Sequence, residues 1–299
     1  MVTRIIKEVT RMGGTKEYWD KRKINSQKAF DHHSEMLKKF NEETKNSVKH
    51  TVIYDADNAG MFTKNSPANR TYADPVVDNI DSVSACFEYE NGKTAVLNFA
   101  SYTLPGGMYM EGSMAQEEAL CHASNLYEVL SNLPDYYEYN SSHKNKALYT
   151  NRGLYSPDVC FFNEFGNMKK YDVITVAAPN KTAYMQYINN ATEEQNDQAL
   201  KSRIHFIKQI ALENDVDTLI LGAYGCGVFG QDPHLVAQYF KEEFDGSGIS
   251  TVYAIIDKGS HEKEGNFAIF ADTFAPAEIE YEDEICTYPD EDWEEDNER

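Results

Sequence analysis

Two apolar runs in this chain each stop at a glycine-rich loop, and a helical pattern begins soon after each loop. The first run, Thr94-Ala95-Val96-Leu97-Asn98-Phe99-Ala100, reads as a buried strand and leads through Leu104-Pro105-Gly106-Gly107-Met108 to Gln116-Glu117-Glu118. From there Ala119, Leu120, Ala123, Tyr127 and Leu130 recur at helical spacing. The second run, Asp217–Leu221, meets Gly222-Ala223-Tyr224-Gly225-Cys226-Gly227-Val228-Phe229-Gly230, with four glycines in nine residues, and then a helix opening at Pro233. Strand, glycine loop, helix start brings backbone N–H groups and first-turn carboxylates into one crevice. The second loop has the composition of a backbone wrapped around phosphates.

The rest of the chain supplies a frame for these loops. Phe30, Met36, Leu37 and Phe40 predict a helix over Ser26 to about Thr44, and His32-His33 on it reads as a solvated face rather than a metal site. Val48–Tyr54 reads as a strand, followed by a turn in which Asp57 makes an Asx turn or, alternatively, touches a ligand's base edge. Val83–Glu88 reads as a strand joined to Thr94–Phe99 through Asn91-Gly92, a hairpin signal. Residues 131–170 read as irregular, with short strands near Ala147–Thr150 and Val159–Asn163. Tyr171–Pro179 predicts a strand, Gln195–Asn214 and Pro233–Phe244 predict helices, and Ile249–Asp257 predicts the last strand. Strands alternating with helices in the second half imply a mostly parallel sheet covered on both faces.

Charge and cysteine usage narrow the function. The 299 residues carry a formal charge of −21, and residues 278–299 contribute 12 acidic side chains against one arginine. Such a field repels polyanions, so an extended nucleic-acid surface is not expected, and a diphosphate would be held by backbone donors. The density of like charge in the tail predicts disorder, though Tyr281, Ile285, Tyr288 and Trp293 leave room for docking. No apolar run is long enough to span a membrane, and no signal peptide is read at the N-terminus. The five cysteines are scattered without a CxxC pair, which argues for reduced thiols in a cytoplasm and against a zinc site. Neither loop contains GK[ST], so a kinase or helicase is excluded.

The pair "VLNFAS…PGG…QEEAL" and "GAYGCGVFGQDP" resembles the microbial-type poly(ADP-ribose) glycohydrolases, a catalytic branch of the macrodomain family. Their signature is a GGG run, six to eight residues, then QEE; here Gly106-Gly107-Met108 is followed by seven residues and Gln116-Glu117-Glu118. The resemblance spans roughly residues 50–275 and departs at Met108. It implies a macrodomain-like three-layer α/β/α fold with a mixed, mostly parallel sheet. The expected organisation is an N-terminal helical extension over 1–47, a catalytic domain over 48–277 and an acidic tail over 278–299.

By position, the resemblance makes Glu118 the catalytic acid and Glu117 the ribose ligand. Asn98, Gly106, Gly107 and Gln116 would bind from the first loop, and Gly225, Cys226, Gly227, Val228 and Phe229 from the second. The implied reaction is hydrolysis of ribose–ribose O-glycosidic bonds in poly(ADP-ribose), with no cofactor and no metal. It needs a proton on the leaving oxygen. A helix N-terminus lowers a carboxyl's pKa, while the ligand's diphosphate, Glu117 and burial raise it, so Glu118 is expected to become an acid when ligand is bound. No partner for a nucleophilic Cys226 is identifiable. Met108 motivates an alternative, an ADP-ribose-binding macrodomain without turnover; a hydrolase of another ADP-ribosyl linkage is a further one.

Overall fold

The computed structural model describes residues 15–56, 59–65, 72–257 and 265–276. Asp57, the first 14 residues and the acidic tail lie outside the described residues. Helices α1 (Lys16–Lys39) and α2 (Asn41–His50) lead into β1 (Val52–Asp55), β2 (Val76–Asp78), α3 (Ser82–Glu88) and β3 (Thr94–Phe99). Three short helices follow, α4 (Gln116–His122), α5 (Leu126–Ser131) and α6 (Pro134–Ser142), then the long strands β4 (Arg152–Phe162) and β5 (Met168–Val176). The chain continues through α7 (Lys181–Tyr187), α8 (Glu193–Glu213), β6 (Thr218–Leu221), α9 (Pro233–Phe244), β7 (Ser250–Ala254) and α10 (Asn266–Phe274).

The seven strands form one sheet in the order β1-β4-β5-β3-β6-β7-β2. β4 pairs antiparallel with β1 and β5, and the four ladders from β5 to β2 are parallel. Alternation along β3 sends Ala95 and Leu97 to one face and Val96 to the other. The first face packs on Leu200, Ile204, Ile207 and Ile210 of α8 and on Val236, Phe240 and Phe244 of α9. The second packs on α3 to α6 through Ala85, Leu120, Leu126, Val129 and Tyr136, with Ala29 of α1. Three layers result, as in macrodomain-like proteins.

β3 and β6 are parallel neighbours, so both glycine loops leave the same edge of the sheet. The chain turns from β3 toward β4 and β5, and from β6 toward β7. This divergence opens the crevice in which ligands of α/β sheets bind.

Several local expectations are corrected. Residues 83–88 are helical because the Asp81 carboxylate accepts from the N–H groups of Val83 and Ser84, a strong N-cap. Asn91-Gly92 is therefore a helix-to-strand turn and not a hairpin; Gly92 has φ +61°, with the Asp217 carboxylate where a Cβ would stand. The helical pattern after Gln116 breaks at Ala123–Asn125, where Ser124 Oγ donates to Leu120 O and the Asn125 amide bridges Cys160 N and Thr44 Oγ1. Residues 48–50 end α2 instead of starting a strand. Residues 131–170 contain α6 and most of an antiparallel pair, while 147–150 belong to a left-handed turn and not a strand. His32 and His33 are not a solvated face: His32 Nε2 meets Ser124 O at 2.9 Å and His33 Nδ1 meets the Glu128 carboxylate at 2.7 Å.

Candidate active site

The first glycine loop is folded over the two carboxylates. Gly106 and Gly107 both lie in the left-handed region, with φ +66° and +59°. A Cβ on Gly107 would stand 2.7 Å from Glu118 Oε1 and 2.9 Å from Glu117 Oε2. A Cβ on Gly106 would meet the Tyr127 ring at 2.7 Å. Glycine is thus required twice over, for conformation and for space. The two carboxylates converge beneath Gly107.

Glu117 and Glu118 are both buried, but they are held differently. Glu117 Oε1 accepts from Asn98 Nδ2 at 3.2 Å, and Oε2 accepts from the Ser101 N–H at 2.7 Å. Burial pushes its carboxyl up to about 8, against the lowering effect of those donors. Glu118 Oε1 accepts from the Met108 N–H at 3.0 Å, whereas its buried Oε2 has no hydrogen-bond partner. A buried acceptor left free beside a glycine loop is suited to meet a group brought by a ligand. Asn98 Oδ1 is likewise buried and without a partner.

Gln116 points elsewhere. Its Oε1 accepts from Phe99 N at 2.8 Å and its Nε2 donates to Leu97 O at 2.9 Å and to Ser82 Oγ at 3.2 Å. These bonds latch the start of α4 to the end of β3, so Gln116 sets the position of the next two residues. Met108 has no left-handed φ. Its half-exposed side chain reaches α1, where Arg22 Nη2 lies 3.5 Å from Sδ.

Helix α1 clamps the far side of this loop. Arg22 Nε donates to Glu111 O at 2.8 Å, Ser26 Oγ donates to Met110 O at 2.6 Å, and the Tyr109 hydroxyl donates to Ala29 O at 3.1 Å. At Gly112, φ +77°, a Cβ would fall 2.0 Å from Arg22 O. None of these contacts has a signature in the sequence, because each joins a loop to a helix some 80 residues away in the chain.

The second loop faces the first across the Phe99–Tyr224 ring contact, 5.5 Å between centroids. Gly225 turns at φ +75° against Ala178 and Gln231, and Gly230 at φ +71° against Thr182. Gly227 differs: nothing lies within 4 Å of its would-be Cβ, so packing does not demand glycine there. Val228 beside it is 86% exposed. Phe229 is partly buried, its carbonyl accepts from Thr182 N at 3.0 Å, and its ring lies 6.3 Å from that of Tyr149. The Cys226 thiol sits 3.7 Å from Tyr224 O, and burial pushes it up to about 12. It stays a thiol at neutral pH.

Crevice, twin glycine loops and buried carboxylates make up one candidate site on a macrodomain-like fold. Residues 20–164 match the family model "Microbial-type PARG, catalytic domain". Poly(ADP-ribose) glycohydrolase from Thermomonospora curvata is similar in structure, with a TM-score of 0.72 and 26% identity over 83% of this chain and 98% of that one. The same protein was also solved bound to the inhibitor ADP-HPD, with equal similarity. The glycohydrolase from Deinococcus radiodurans in complex with ADP-ribose gives a TM-score of 0.65 and 26% identity, over 77% of this chain and 96% of that one. No curated protein matches the sequence. Residues 20–164 are thus similar in sequence to the microbial-type PARG catalytic domain, and the fold is similar to that of the bacterial glycohydrolases.

Proposed function

We propose that this protein is a poly(ADP-ribose) glycohydrolase, a glycosidase that hydrolyses ribose–ribose O-glycosidic bonds and releases ADP-ribose. The observation that carries the reading is the free, buried Oε2 of Glu118 beneath Gly107. Cleavage proceeds through an oxocarbenium-like state and needs a proton delivered to the leaving oxygen. Glu118 supplies it: Met108 N–H holds one carboxyl oxygen and leaves the other to carry the proton. Glu117, held by Asn98 and Ser101 and carrying a proton up to about 8, has one hydroxyl to donate and a remaining acceptor site for ribose hydroxyls. Asn98 Oδ1 is a further ribose acceptor.

The phosphates lie between the loops. Gly225, Gly227 and Val228 offer backbone N–H groups from the second loop, with Phe229 against a ribose, while Gly106 and Gly107 let the first loop come close to the ligand; the N–H groups of Gly107 and Cys226 are taken by Leu104 O and Ala223 O. Open space at Gly227 supports close backbone approach there. The ligand is ADP-ribose or its polymer. A cytoplasmic setting fits the four described cysteines, which are all free, and among the described residues no helix is long and apolar enough to cross a membrane. The domain limits we propose remain 1–47, 48–277 and 278–299.

The test is incubation of purified protein with defined poly(ADP-ribose). The expected result is release of free ADP-ribose. Binding of the polymer without any product would contradict the enzyme reading.

A further inference from the structure

Arg203 is the largest fully buried side chain of the described structure, 1% exposed on the inner face of α8. A buried guanidinium is normally paired with a carboxylate, because an uncompensated interior charge is expensive. Here, among the described residues, no carboxylate is within ion-pair distance of it. Its donors go to neutral acceptors instead: Nε to Asn151 Oδ1 at 2.7 Å, Nη2 to Leu148 O at 3.2 Å, and Nη1 to Ala177 O.

Those acceptors belong to the walls of the site. Ala177 follows the end of β5, and its neighbour Ala178 is what a Cβ on Gly225 would strike at 2.9 Å. The Tyr224 phenol of the second loop lies beside the guanidinium and donates to Val176 O at 3.0 Å. Leu148 sits in a segment where Asn145, Lys146, Ala147 and Tyr149 all have φ between +41° and +71°. Four non-glycine residues in left-handed conformation within five positions are costly and need outside support. That segment presents Tyr149, stacked on Tyr102 at 4.1 Å and 11° and edge-on to Phe229. Arg203 thus holds both the floor of the second glycine loop and the ring wall next to it.

We propose that Arg203 is a positioning residue for substrate binding: a buried, carboxylate-free cation that fixes Tyr224 and the Tyr149 segment and whose missing counter-charge is supplied by the ligand's diphosphate. The proposal rests on the ADP-ribose reading of this site. It also reconciles a −21 chain with a dianionic ligand. Surface cations are not needed when one positive charge is stored in the low-dielectric interior, where solvent screens it little. A unit charge about 10 Å from an anion, in an effective dielectric of about 20, changes affinity on the order of tenfold.

The experiment compares Arg203→Met and Arg203→Lys with the parent protein, by calorimetric binding of ADP-ribose and of uncharged adenosine and by polymer turnover. Arg203→Met is expected to bind ADP-ribose about tenfold or more weakly with adenosine affinity unchanged, and to raise KM while kcat stays within about threefold. Arg203→Lys, which keeps the charge, recovers most of the ADP-ribose affinity. If Arg203→Met does not fold, Arg203→Gln, uncharged but still a donor, carries the same comparison. Equal loss of ADP-ribose and adenosine binding, or no loss of either, overturns the proposal alone. Failure of the parent to bind ADP-ribose overturns it together with the functional reading.

Discussion

Glu117 gives the site a pH signature that a generic surface carboxylate lacks. Folded, it holds its proton up to about 8, because burial outweighs the Asn98 and Ser101 donors. Unfolded, it releases the proton near the ordinary carboxyl value of 4.5. Between these values the folded chain binds more protons, so this residue's contribution to stability is full at low pH and is lost as pH rises through about 8. Melting temperature should fall more steeply across that window in the parent than in Glu117→Gln; identical slopes would contradict the account. Met108 makes a second point at this scale. Its backbone is not left-handed and its sulfur meets Arg22, so the loop suits methionine. Met108→Gly should loosen the loop by roughly 0.5–1 kcal/mol through unfolded-state entropy and lower turnover modestly. A variant much more active than the parent would show that methionine obstructs catalysis.

Among the elements, β3, β6 and the glycine loops after them were legible in the sequence because apolar runs and glycine clusters are local signals. What remained hidden depends on distant partners. The Val83–Glu88 run looks like a strand until Asp81 is seen to cap a helix. Arg203 is not singled out by the sequence reading, although its spacing from Leu200, Ile204 and Ile207 puts it on the inner stripe of α8. Tyr149 carried no signal, since aromatic residues give no cue to a left-handed turn. Helix α1 likewise reads as an accessory, yet it grips the first glycine loop through Arg22, Ser26 and Ala29. Gly112→Ala should force the two apart, because its Cβ would overlap Arg22 O at a positive φ. We expect roughly 2–3 kcal/mol of destabilisation and a large loss of turnover. Unchanged melting and activity would mean that the clamp is dispensable.

At the scale of the whole molecule, three layers bring two parallel strand ends side by side in a chain of formal charge −21, and on our proposal backbone donors and the interior Arg203, not surface cations, meet the ligand. Ligand affinity should therefore depend weakly on salt. We expect ADP-ribose affinity to change by less than about threefold over a tenfold rise in salt, unlike the steep loss of a phosphate-tracking cationic surface. A steep loss would reveal surface cations at the site. The central claim, however, is that one carboxyl oxygen under Gly107 delivers the proton. The most direct measurement pairs polymer turnover with ADP-ribose binding in Glu118→Gln, a variant that keeps the Met108 N–H acceptor and removes the transferable proton. Turnover should fall by about a hundredfold or more with affinity held within a few-fold. Turnover close to that of the parent would mean that Glu118 is not the acid.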